Sequence, residues 1–171
     1  MSTVSQRKSG AESIGIDIVH YKVHDARLYS ASFYNTIASG ATQEIMIKTG
    51  ANEDHIVTQI ATSGQALISI QEGITSSVDG SAVGIYNMNR ESTASGTTLI
   101  FSGPTWSTNT ETLIYRMLIP GGAAAQTRVG SQARSGSEWI FKPSTKYLVQ
   151  IKDQSGSTNT ATINFEFYEE D

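Results

Sequence analysis

Between residues 160 and 168 the chain alternates with a period of two. Ile163, Phe165 and Phe167 fall on one side, and Asn164, Glu166 and Tyr168 on the other. That period belongs to a strand, whose successive side chains point to opposite faces. The pattern recurs. Residues 44–48 place Ile45 and Ile47 together, residues 55–61 set Ile56 and Ile60 opposite Val57, and residues 66–71 alternate Ala66, Ile68 and Ile70 with Leu67, Ser69 and Gln71. Apolar or β-branched runs at 28–34, 83–88, 97–101, 113–119, 139–141 and 146–152 extend the series. The separators Thr49-Gly50-Ala51-Asn52, Ser63-Gly64, Asp79-Gly80, Ser102-Gly103-Pro104, Pro120-Gly121-Gly122 and Ser155-Gly156 carry turn-forming residues. Asp79-Gly80 fits a type I′ hairpin turn.

No segment shows a convincing helical stripe. Residues 110–118 come nearest, with Glu111, Leu113 and Met117, but their β-branched neighbours and the Pro120 stop favour a strand. About nine strands with no second core predict one all-β domain, a sandwich of the jelly-roll type or a barrel. Residues 1–18 read as an extended N-terminal arm, Ser-rich and charged at first, with Ile14, Ile16 and Ile18 alternating at its end. The sandwich is expected over residues 19–171. Residues 121–137 lack apolar periodicity and predict a surface excursion.

Composition narrows the function classes. Charged residues are 16% of the chain, against roughly 25% in an average domain. The net charge is −4, so duplex nucleic acid is a poor expected partner. With no cysteine, disulfides, thiolate metal sites and Cys nucleophiles are ruled out. No apolar run reaches the ~18 residues of a membrane helix. Arg7 and Lys8 precede no apolar stretch, so no secretory signal is expected.

The residues that could carry chemistry are few. His20 and His24 flank Tyr21-Lys22-Val23 beside Asp17 and Asp25. On an extended chain their rings would lie roughly 13 Å apart, too far to share one zinc. His55 is the third histidine, and no Gly-x-Ser-x-Gly turn accompanies any of them. The carboxylates Glu44, Glu53, Asp54, Glu72, Asp79, Glu111, Glu138 and Glu166 have no distinguishing context. The expectation is no catalytic residue, no cofactor and no metal. Trp106, in a polar loop over residues 102–112, either meets a partner or caps the sandwich end; Trp139, beside Ile140 and Phe141, reads as core.

Four stretches are distinctive as text: Glu138-Trp139-Ile140-Phe141-Lys142-Pro143-Ser144-Thr145-Lys146-Tyr147-Leu148, Leu118-Ile119-Pro120-Gly121-Gly122, Tyr86-Asn87-Met88-Asn89-Arg90, and His20-Tyr21-Lys22-Val23-His24-Asp25. With them, residues 19–168 resemble a family of tailed-bacteriophage capsid decoration, or cement, proteins. The resemblance implies a jelly-roll-like β-sandwich and a structural, non-enzymatic virion protein. It implies a dimer or trimer on the outer surface of the head, with the phage major capsid protein as partner and neither nucleic acid nor membrane. The alternative is a carbohydrate- or receptor-binding sandwich of a phage tail. Candidate partner contacts are Arg7, Lys8, Ile14 and Ile16 on the arm, Trp106 in its loop, and Arg128 and Arg134 in the excursion.

Overall fold

The computed structural model describes residues 18–107, 111–121 and 138–170 in full, and the backbone of the strands at 5–9, 12–16 and 131–134. In chain order the elements are β1 (Ser5–Ser9), β2 (Glu12–Ile16), α1 (Ile18–His24), β3 (Leu28–Ile37), β4 (Thr42–Lys48), β5 (Glu53–Thr62) and β6 (Ala66–Glu72). Next come β7 (Thr75–Val78), β8 (Ser81–Ala82), β9 (Ile85–Asn87), β10 (Leu99–Ser102) and β11 (Thr105–Ser107). The chain closes with β12 (Thr112–Ile119), β13 (Ser131–Arg134), β14 (Trp139–Phe141), β15 (Lys146–Asp153) and β16 (Asn159–Glu170).

One sheet runs β12-β6-β15-β4-β10-β8, and the other runs β13-β5-β16-β3-β9, with β14 also on β5. Every pairing is antiparallel. The winding explains the order. β3 to β6 step alternately between the sheets; β16 then returns between β3 and β5, and β15 between β4 and β6. With β14 beyond β5 and β12 beyond β6, this is the double Greek key of a jelly roll, one of the two expected architectures. Residues between β6 and β12 form an insertion. It adds β10 and β8 to one sheet and β9 to the other, and folds β7 and β11 into a ribbon of their own.

The inward positions of the alternating strands make the core: Ile45 and Ile47 on β4, Ile68 and Ile70 on β6, Tyr147, Val149 and Ile151 on β15, and Ile163, Phe165 and Phe167 on β16. Phe141 stacks on Tyr147 with ring centroids 3.8 Å apart. Trp139 packs against this core edge-on to Tyr115, as expected. A smaller cluster of Met46, Ile74 and Leu148 lies outside the first sheet under the β7–β11 ribbon. No helix among the described residues is long and apolar enough to cross a membrane.

Several expectations need correction. Ile18 to His24 form a helix, so the alternation starting at Ile14 stops at Ile16, and α1 crosses the expected boundary of arm and domain. β1 and β2 pair with each other, Arg7 opposite Ile14, rather than running out as a single extended arm. The excursion contains a strand: β13 pairs with β5, Arg134 opposite Gln59. The loop holding Trp106 contains β11. Asp79-Gly80 is not a type I′ turn. Only Gly80 has positive φ, whereas that turn needs both, and β7 and β8 lie in different sheets.

Three of the four distinctive stretches tie the turns of this architecture. Asn87 is buried and donates from Nδ2 to the carbonyls of Ala26 (2.7 Å) and Ala94 (3.2 Å), while Arg90 reaches the Asn87 carbonyl and lies over the Tyr86 ring. The turn at Lys142-Pro143-Ser144-Thr145 is tied to the end of β4: Thr49 Oγ1 donates to the Lys142 carbonyl, and Ser144 N–H to that of Gly50. Gly121 passes so close to the 64–65 backbone that a Cβ there would sit 2.0 Å from Gln65 N.

Candidate interaction site

The second sheet has an outer face with two unlike halves. One end carries ionisable groups. Glu53 and His55, two apart on β5, share a face, as do Tyr168 and Glu170 on β16. The register sets Tyr168 opposite His55, and β14 brings Ile140 opposite His55 from the other side. α1 lies across this end. Its inward residue is Lys22, 8% exposed, whose Nζ is 3.0 Å from Glu170 Oε1 and 4.7 Å from the Tyr168 ring centroid. A buried lysine is tolerated when its stem packs and its charge is paired. The hydrogen bond from Lys22 holds the Glu170 carboxyl below its usual range.

His55 lies at the centre of this cluster. Its ring stacks on Tyr168 with centroids 4.5 Å apart. Nδ1 is 3.3 Å from Glu138 Oε1, and Nε2 is 3.8 Å from Glu53 Oε1 and 3.7 Å from Glu170 Oε2. Both nitrogens are buried, and neither makes a hydrogen bond of good geometry. Burial, reinforced by hydrogen bonding to Glu138, pushes the Tyr168 hydroxyl up. Among the described residues this is the group of three acids and histidines (Glu53, His55, Glu170) with ligand atoms close enough for a cation, within 4.8 Å of one another. Two first-row metal bonds at a tetrahedral angle span about 3.3 Å, so the two carboxylates would each have to close on His55 Nε2 by about half an ångström, Glu170 through the oxygen that does not bind Lys22. The arrangement as it stands clasps α1, β5, β14 and β16 together. The i, i+2 spacings were visible in the sequence; which strands meet was not.

The other half of the face is nearly free of charge. β3 offers Ser30, Ser32, Tyr34 and Thr36, β16 offers Thr160, Thr162 and Asn164, and β5 offers Gln59 and Ala61; Glu166 is the one charge among these three rows, and β13 beside β5 sets Arg134 opposite Gln59. Tyr34 stands 67% exposed. At the open edge of the sandwich, the insertion leaves an apolar groove of about 490 Å³ between β9 and β10, lined by Tyr29, Val83, Ile85, Leu99 and Phe101 among others.

Of the residues singled out from the sequence, Arg134 is placed beside this face by its register with Gln59, and Trp106 lies elsewhere. Trp106 is half-buried on β11, packed on the Met46–Leu148 cluster outside the first sheet, with Nε1 donating to Glu44 Oε1 at 3.0 Å. Glu44 also accepts from Gln150, whose Oε1 receives Ser69 and Gln71, so the indole joins a row of hydrogen bonds across three strands. Arg7, Lys8, Ile14 and Ile16 lie on the β1–β2 hairpin and Arg134 on β13. Arg128 lies outside the described residues.

No family model and no curated protein matches the chain. Among solved structures it aligns with the VP2 subviral particle protein of infectious bursal disease virus, at 11% identity and a TM-score of 0.23, covering 98% of this chain and 41% of that one. It also aligns with the D431N mutant VP2 protein of the same virus in its T=1 particles, at 10% identity and a TM-score of 0.19, covering 98% and 45%. The chain thus spans less than half the length of these structures.

Proposed function

We propose that this chain is a structural virion protein, a decoration protein that binds the outside of a tailed-phage head as a homo-oligomer and reinforces the shell without catalysis. The observation that carries the reading is the charge-depleted half of the outer face, from Ser30 to Thr36 and from Thr160 to Asn164. Soluble surfaces ordinarily intersperse charges of both signs, whereas the centres of protein interfaces lose charge and gain tyrosine. A sheet face of hydroxyl and amide groups around Tyr34 has that composition. The resemblance of residues 19–168 to cement proteins supports the same role, and the β1–β2 hairpin supplies a second contact, since two paired strands are marginal in water on their own. Binding the assembled shell better than free subunits would stabilise it by mass action.

The test removes and restores the protein. Particles stripped of it and then heated should open at lower temperature than decorated ones, and added protein should restore them. Thr162→Arg with Asn164→Arg should weaken rebinding at least tenfold while leaving the fold's melting temperature within a degree or two. Shells equally stable with and without the protein would overturn the reading and favour the glycan-binding tail alternative, with its handful of copies per particle.

A further inference from the structure

The helical form of residues 18–24 changes what two histidines can do. On α1, His20 and His24 lie one turn apart on the solvent side, opposite the buried Lys22. Their Nε2 atoms are 3.1 Å apart, and the rings meet edge-on with centroids at 4.6 Å. A divalent first-row ion binds imidazole nitrogen at about 2.0–2.1 Å, so two such bonds at 90–109° span about 2.9–3.3 Å. The observed separation falls inside that interval. Without metal the same distance suits a hydrogen bond between two neutral rings, one donating and one accepting. That bond already turns both Nε2 atoms toward one point.

The backbone beneath the pair is held on two sides. Lys22 pins the helix to Glu170. The C-terminal turn closes with Arg27 N–H on the Lys22 carbonyl (2.9 Å) and Ala26 N–H on that of Val23 (3.1 Å). Little order therefore has to be created on binding, which is what gives two ligands their advantage over one.

We infer that His20 and His24 form a bidentate surface site for a divalent transition cation that prefers imidazole: copper(II), nickel(II) or zinc. Magnesium and calcium, which take oxygen ligands, do not fit it. Two imidazoles leave coordination positions for water or for a donor on a neighbouring chain. The inference stands on α1 alone and is independent of the virion reading.

The test titrates the purified full chain with nickel chloride at pH 7.5, read by calorimetry and by the imidazole NMR signals. One equivalent should bind, broadening the His20 and His24 signals before that of His55. His20→Ala and His24→Ala should each weaken binding at least about tenfold, because the second imidazole acts at high effective concentration only when both are present. Saturating nickel should raise the melting temperature of the wild type and of His55→Asn, but of neither single α1 variant. Circular dichroism of the metal-free variants checks that they fold. Equal nickel affinity in wild type and the α1 variants would overturn the site, as would no binding up to millimolar nickel. Loss of binding in His55→Asn instead would move the ion to the Glu53–His55–Glu170 cluster and overturn it equally.

Discussion

Ala26 follows α1 with φ +58°, a left-handed conformation that its Cβ resists. It occupies the position where helices usually place glycine, and the paired hydrogen bonds of Ala26 and Arg27 complete that cap. Ala26→Gly should therefore raise stability by about 0.5–1 kcal/mol in a denaturant melt. Asp54 poses a different problem. It is fully buried on β5, accepts from Thr98 Oγ1, and leaves its other oxygen without a partner. Burial pushes its carboxyl up to about 6. A folded value above the unfolded one means the folded chain holds the proton more tightly. The stabilisation is complete below about pH 4 and is lost as pH rises through about 6. Asp54→Asn does not titrate, so the stability of the variant relative to wild type should climb by about 2 kcal/mol between pH 4 and pH 7. A flat difference in urea melts across that range would show that water reaches Asp54.

At the scale of elements, helix and strands are joined by few but specific contacts. α1 is seven residues long and too short to stand alone in water, so its place depends on Lys22 lying over Tyr168 and reaching Glu170. Lys22→Ala should cost about 1–2 kcal/mol, and Lys22→Met, which keeps the packed stem, less than half of that. Amide exchange in residues 18–24 should rise with the first variant; unchanged exchange would mean other contacts hold the helix. The end of β12 offers a second case. It crosses the turn before β6 with Gly121 against Gln65, and a methyl group there collides with backbone rather than with a movable side chain. Gly121→Ala should cost at least about 2 kcal/mol by thermal melting. The strand assignments around both places were legible because alternation survives wherever one face is buried and the other is wet. α1 was not, because its buried face is a lysine and its exposed face includes Val19 and Tyr21, 44% and 38% exposed, so the apolar pattern that marks a helix is inverted.

At the scale of the whole molecule, the jelly roll separates a clasp from a face. The charged clasp under α1 holds four elements at one end, and the uncharged rows of β3 and β16 occupy the remainder of the same sheet. If that face binds a shell, charge introduced there should impair decoration, while Lys22→Ala should impair folding first. Comparing shell occupancy with melting temperature for the two kinds of variant separates the roles; a parallel loss in both would merge them.

What the amino-acid sequence settled without help is local. Period-two alternation and the Gly, Asn and Asp turns marked the ten principal strands of the two sheets, because side-chain direction and turn conformation depend on neighbours a few residues away. The short strands β7, β8, β11 and β13 give no alternation to read, since each has only two to four residues and at most one large apolar side chain. Tertiary structure decided everything that depends on register. It set His55 against Tyr168 and Glu170, 113 and 115 places along the chain, tied Trp106 to Glu44, and bent residues 18–24 into a helix just where the alternation of Ile14, Ile16 and Ile18 ends. The physical reason is that pairing free energy comes from contacts between distant segments. Which strand lies beside which is a property of the closed sandwich, and no single segment carries it.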